Sequence, residues 1–178
     1  MSRGPGPVQQ AILALIESEQ DGAWPLGEVC RHVYGAALVE KKHRVAVARA
    51  LRTMALPDPW RVAQMSRPGA EYCLFNACSV ESRTRLNWHQ TFSHISLEAM
   101  KQKYSHQVDY AREAAEKAKR FYSADAIGRL DIKIANTQAH AQSAKQFQLG
   151  REFIQALVTE MTELQERRRQ LVAEKEAA

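Results

Sequence analysis

The chain has 178 residues, with 25 Lys and Arg against 20 Asp and Glu, a net charge of +5 and a pI near 9.2. Apolar residues make up 45%, too many for a disordered chain, and no apolar run approaches the ~20 residues of a membrane span. Three cysteines are too few for a disulfide framework, so a reducing cytoplasmic setting is expected. The N-terminal stretch Met-Ser-Arg-Gly-Pro-Gly-Pro leads into an amphipathic helix instead of an apolar signal region. The basic balance favours a polyanionic partner.

Helix breakers divide the chain. All six prolines lie at or before Pro68, and beyond Gly69 the only glycines are Gly128 and Gly150. The first ~80 residues therefore read as a compact domain with turns, and the rest as helix with few interruptions. Val8 to Ser18 is a helix, with Val8, Ile12, Leu15 and Ile16 at helical spacing. Asp21-Gly22 ends it, and Ala23-Trp24 is a short extended piece. Pro25 suits the first turn of a second helix, whose stripe is Val29, Cys30, Val33 and Tyr34 and whose C-cap is Gly35. A third helix runs from about Val39 to Met54. Leu56-Pro57-Asp58-Pro59 is a loop. Trp60 to Ser66 and Glu71 to Asn76 alternate as short strands around Arg67-Pro68-Gly69-Ala70, a hairpin with Arg67 at its tip. Ile12, Leu15, Ile16, Val29, Val33, Val47, Leu51, Leu74 and one or two tryptophans are the expected core.

This order of helix, short strand, helix, helix and hairpin, over roughly Val8 to Cys78, resembles the winged helix-turn-helix fold. In that resemblance the segment Glu40 to Met54 stands as the recognition helix and the Trp60–Asn76 hairpin as the wing. The expected class is thus mainly α: a small winged-helix (α+β) domain over 1–80, a connector over 81–96, and a long helical or coiled-coil dimerisation arm over 97–178.

On a wheel of 100° per residue, Lys41, Lys42, Val45, Arg49 and Arg52 gather opposite Val47, Ala48, Leu51 and Met54. Residues 41 to 52 hold Lys41, Lys42, Arg44, Arg49 and Arg52 with no acid among them. Like charges repel on a solvated helix, and a phosphate backbone relieves that repulsion. Lys41, Lys42, Arg52 and Arg67 are the expected phosphate contacts. Arg49, whose guanidinium matches guanine O6 and N7, reads bases together with His43, Val45 and Ala46. Arg44 sits at the edge of the core face.

In the arm, Leu97, Met100, Tyr104 and Val108 open a seam that continues through Ala111, Ala115, Ala118 and Tyr122. Ser123 or Asp125 is a plausible cap for a second series, Ile127, Leu130, Ile134, Thr137, Ala141, Ala144 and Phe147, followed by Ile154, Leu157, Met161 and Leu164. That series reads as an amphipathic helix of up to ~50 residues, loosened near Gly150. Such a stripe must fold back as a hairpin or pack on another chain, so a homodimer through these helices is expected.

The sequence carries no phosphate loop, nucleophile elbow, HExxH or dinucleotide fingerprint. Cys30, His32, Cys73 and Cys78 lack zinc-knuckle spacing, so buried thiols are expected and no metal or cofactor. The expected function is a non-enzymatic, sequence-specific binder of double-stranded DNA, a dimeric transcriptional regulator associated with the nucleoid. The rival expectations are a winged-helix protein-interaction scaffold and a DNA-bridging, partition-type architectural protein.

Overall fold

The computed structural model describes residues 5–35, 38–65 and 72–177. Arg67 therefore lies outside the described residues. The chain is mainly helical, with a small three-stranded antiparallel sheet near its N-terminus and two long C-terminal helices packed together. It divides into two compact units, residues 1–119 and 120–178.

In the first unit, α1 (Pro7–Ser18) starts with Pro at its first position, where a missing N–H costs nothing. The Gly6 N–H donates to Gln9 Oε1 at 3.1 Å and closes the first turn. Three segments follow: β1 (Ala23–Pro25), α2 (Leu26–Tyr34) and α3 (Lys41–Thr53). Gly35 ends α2 at φ 59°, a left-handed conformation that glycine adopts without strain.

The strands β2 (Trp60–Gln64) and β3 (Tyr72–Asn76) complete the sheet, in the order β1-β3-β2. Leu74 of the central strand stands opposite Trp24 on one side and Val62 on the other. Trp24 and Trp60 stack with ring centroids 5.4 Å apart. They close over a core of Ile12, Leu15, Ile16, Leu26, Val29, Val47, Leu51 and Leu74. The expected core side chains are buried except Val33, which is half-buried against the cluster. A Cβ at Gly22 would fall 1.9 Å from the Trp24 ring, so this turn requires glycine.

The sheet is fastened to α4 (Val80–Asn87) by a buried hydroxyl. Ser82 Oγ donates to Gly22 O at 2.5 Å and accepts from Asn76 N at 2.8 Å. Asn76 Nδ2 in turn donates to Gln20 O at 2.9 Å. The segment expected to be a connector thus forms α4 and one π-helical turn, Trp88–Phe92. Trp88 Nε1 donates to Ile95 O at 2.8 Å and secures that turn.

The seam expected from Leu97 onward is not one continuous helix. It breaks at Tyr104 into α5 (Leu97–Lys103) and α6 (Ser105–Ser123). Met100 is completely buried, and Tyr104 packs on Phe92 at 4.7 Å between centroids.

The second unit is a helical hairpin. Asp125 caps α7 (Ala126–Gln146) by accepting from Gly128 N at 2.8 Å. The expected ~50-residue helix is instead two helices: the chain turns at residues 147–150, with Gln148 at φ 53°, and returns as α8 (Arg151–Glu176). Ion pairs from Arg168 to Asp131 and from Lys175 to Asp125 tie the antiparallel helices together. Ile127, Leu130, Ile134, Ile154, Leu157, Met161 and Leu164 form the half-buried seam, whereas Phe147 at the turn is 72% exposed. No helix among the described residues is long and apolar enough to cross a membrane.

Candidate nucleic-acid interface

The candidate site is built on α3. Val47, Ala48, Ala50 and Leu51 bury one side of the helix against the core. That anchorage turns Lys41, Lys42, Val45, Arg49 and Arg52 outward, all of them exposed. Val45 is 49% exposed, an apolar side chain held among cations on a solvated face.

The local electrostatics of α3 run against the usual helix pattern. In α2 an acid, Glu28, occupies the first turn and Arg31 and His32 the last, which complements the helix dipole. In α3 the first turn carries Lys41 and Lys42 and no acid. Cations there face the positive end of the dipole, at a cost of about 0.3–1 kcal/mol each. Glu40 at the N-cap offsets part of this, and Lys42 Nζ lies 3.1 Å from its carboxylate. An anion docked at this end would be attracted by the side chains and by the positive end of the helix dipole together.

Beside this face lies an open groove of about 410 Å³, lined by Lys41, Arg44, Val45, Ala48, Arg52 and Tyr72. Val45, Ala48 and the Tyr72 ring supply its apolar lining, and three cations supply its charge. Arg52 Nε donates to Ala48 O at 3.3 Å, which lays the guanidinium stem along the helix. Arg44 and Tyr72 join the site in this way. Neither stood among the expected contacts: Arg44 falls at the edge of the core face, and Tyr72 comes from β3, distant in sequence.

His43 is placed elsewhere. Its ring stacks on Tyr34 at 4.2 Å between centroids, and its Nδ1 accepts from the Glu40 N–H at 3.4 Å. It serves the α2–α3 junction and the helix cap, away from the outward face of Arg49. Ala46 is half-buried at the margin of that face. Arg61 of β2 pairs with Asp58 at 2.9 Å and donates to the Trp60 carbonyl at 2.6 Å, so its charge is engaged locally.

The cysteines do not assemble a site. Cys30 and Cys73 are buried and Cys78 is half-buried, none of them in a disulfide. Burial pushes the Cys73 thiol up to about 12, and nearby Glu28 adds to the rise, so it stays protonated at neutral pH. Among the described residues no group of three or more His, Cys, Asp or Glu side chains is placed to hold a metal ion.

Compared with protein families, with curated proteins and with solved structures, the chain finds no match.

Proposed function

We propose that this chain binds double-stranded DNA as a winged-helix transcriptional regulator, with α3 in the major groove. The observation that carries the reading is the outward face of α3: Lys41, Lys42, Arg49 and Arg52 are exposed together around Val45, with Lys41 and Lys42 set against the local helix dipole. Cations arranged at a local cost need a compensating anion, and a regular array of phosphates supplies one. Lys41, Lys42 and Arg52 take phosphates; Arg49 has the length and the planar fork to reach a guanine edge. Val45 is small enough to pack on a thymine methyl at the groove floor. Arg67 remains the residue proposed to extend the wing toward the backbone. A homodimer would present two such helices to an inverted repeat.

The test is fluorescence anisotropy of a labelled duplex titrated with the full chain from 50 to 200 mM salt. Three to four phosphate contacts predict a log–log slope of about −3 to −4 per chain. Affinity that is weak at low salt and flat across this range would contradict the reading. The basic face would then belong to an acidic protein surface.

A further inference from the structure

The second unit carries an unmatched knob and an unmatched hole at opposite ends. The knob is the α7–α8 turn, where Phe147 is 72% exposed, Leu149 48% and Phe153 52%. The hole lies at the other end of the hairpin: a depression of about 430 Å³ lined by Phe121, Ala124, Leu130 and Leu171, with Arg129, Lys133, Arg167 and Asp125 also around it. The Arg129 guanidinium and the Lys133 ammonium already sit 5.7 and 5.8 Å from the Phe121 ring centroid. The hole is thus chemically prepared for an aromatic ring, which meets an apolar floor, another ring edge and cations.

The knob and hole of one hairpin cannot meet. At 1.5 Å per residue they stand ~30 Å apart along α7. Two hairpins laid antiparallel about a two-fold axis bring each knob to the other's hole, and both contacts form at once.

We infer that two copies of this chain pair through their α7–α8 hairpins as an antiparallel four-helix bundle, with the Phe147–Phe153 tip of each seated in the Phe121–Leu130–Leu171 depression of the other. This deepens the dimer of the proposed function but stands on the second unit alone and does not require DNA binding.

Three further observations favour a second copy as the occupant. The seam of the hairpin is not fully covered in the chain: Leu130, Ile134, Leu157, Met161 and Leu164 are all only partly buried. A flat hairpin face ~30 Å long and two helices wide is of the order of the ~800 Å² per partner that a stable interface buries. The charges suit self-association as well. The tip carries Lys145, Arg151 and Glu152, and the hole is ringed by Arg129, Lys133 and Arg167 with Asp125, so both ends hold charges of both signs. Over residues 120–178 nine Lys and Arg stand against eight Asp and Glu, so two copies carry little net charge with which to repel.

The contact also predicts which part of the expected seam is not used. Met100 and Tyr104 pack inside the first unit, so dimerisation does not pass through the Leu97–Val108 stretch.

The test uses the full chain without DNA. Sedimentation equilibrium should give a dimer of two 20.1-kDa chains. Phe147→Lys with Phe153→Lys, both on exposed positions and facing a cationic rim, should weaken that dimer at least tenfold with the helical circular dichroism unchanged. In a Cys78→Ser background, chains carrying Phe153→Cys mixed with chains carrying Ala124→Cys should form a mixed disulfide on mild oxidation. A monomer at all concentrations overturns the inference. So does a dimer that ignores both phenylalanines and gives no mixed disulfide. Open-ended oligomers overturn it too, because they mean head-to-tail pairing without two-fold closure. None of these outcomes bears on whether α3 binds DNA.

Discussion

The first unit buries Trp60, Ile12, Leu26 and Leu74 almost completely, whereas the second buries only Thr137, Ala141 and Ala144 among its described residues. The difference follows from architecture. Three helices and a sheet approach a common centre from several directions, so a large side chain there is enclosed on all sides. Two antiparallel helices enclose only the line between them. Small residues vanish in that line and large ones remain partly in water. The first unit closes its own core, and the second, as we infer, is half of an interface.

That contrast can be broken or sharpened by mutation. Trp60→Ala removes an indole at the centre of the first unit and should cost about 3–5 kcal/mol. All three tryptophans lie in this unit, so urea unfolding followed by their fluorescence reads it directly. A loss under 1 kcal/mol would mean that the Trp24–Trp60 stack is peripheral.

Ser82→Ala should cost about 1–3 kcal/mol by the same measurement, since Asn76 N and Gly22 O would both lose a buried partner. In the second unit, Leu164→Ala should cost only about 1–2 kcal/mol in a monomeric chain, because the side chain is only partly buried. If the hairpins pair, the cost should grow with protein concentration.

The smallest effect concerns Glu28. Burial raises its carboxyl above the ordinary range, and the nearby charges of Arg31 and Arg85 only partly oppose this. Folding then favours the protonated form. Stability from this group is fully present below the unfolded carboxylate range and is lost as pH rises through the folded value. Glu28→Gln should therefore stabilise the chain slightly at pH 7, and the gain should shrink in acid. Glu81 has the opposite sign. Burial raises its carboxyl, but hydrogen bonds from Lys101 and Arg85 outweigh that and lower it overall. Its contribution is present at neutral pH and is lost as pH falls through the folded value.

Local rules read much of the first unit correctly. Pro7, Gly22, Gly35 and the paired prolines before Trp60 punctuate its elements, and the strands fall within two residues of their expected limits. The outward face of α3 was legible because a helix anchored by Val47 and Leu51 must turn Arg49 and Arg52 the other way. His43 was not legible: its ring answers to Tyr34, and only the packing of α2 on α3 brings them together. Tyr72 was hidden for the same reason, since the groove joins α3 to a strand distant in sequence. In the second half, apolar periodicity continues smoothly across residues 147–150. It marks the faces of α7 and α8 but not the reversal between them, where Gln148 takes a positive φ.

The most direct test of the central claim is selection of bound sequences from random duplex DNA by the full chain and by Arg49→Ala. The account predicts an enriched inverted repeat for the native chain. For Arg49→Ala it predicts a loss on the order of 1–3 kcal/mol that relaxes the preference at one base pair of each half-site. No enrichment by the native chain at low salt would contradict the account and leave the basic face of α3 to another partner.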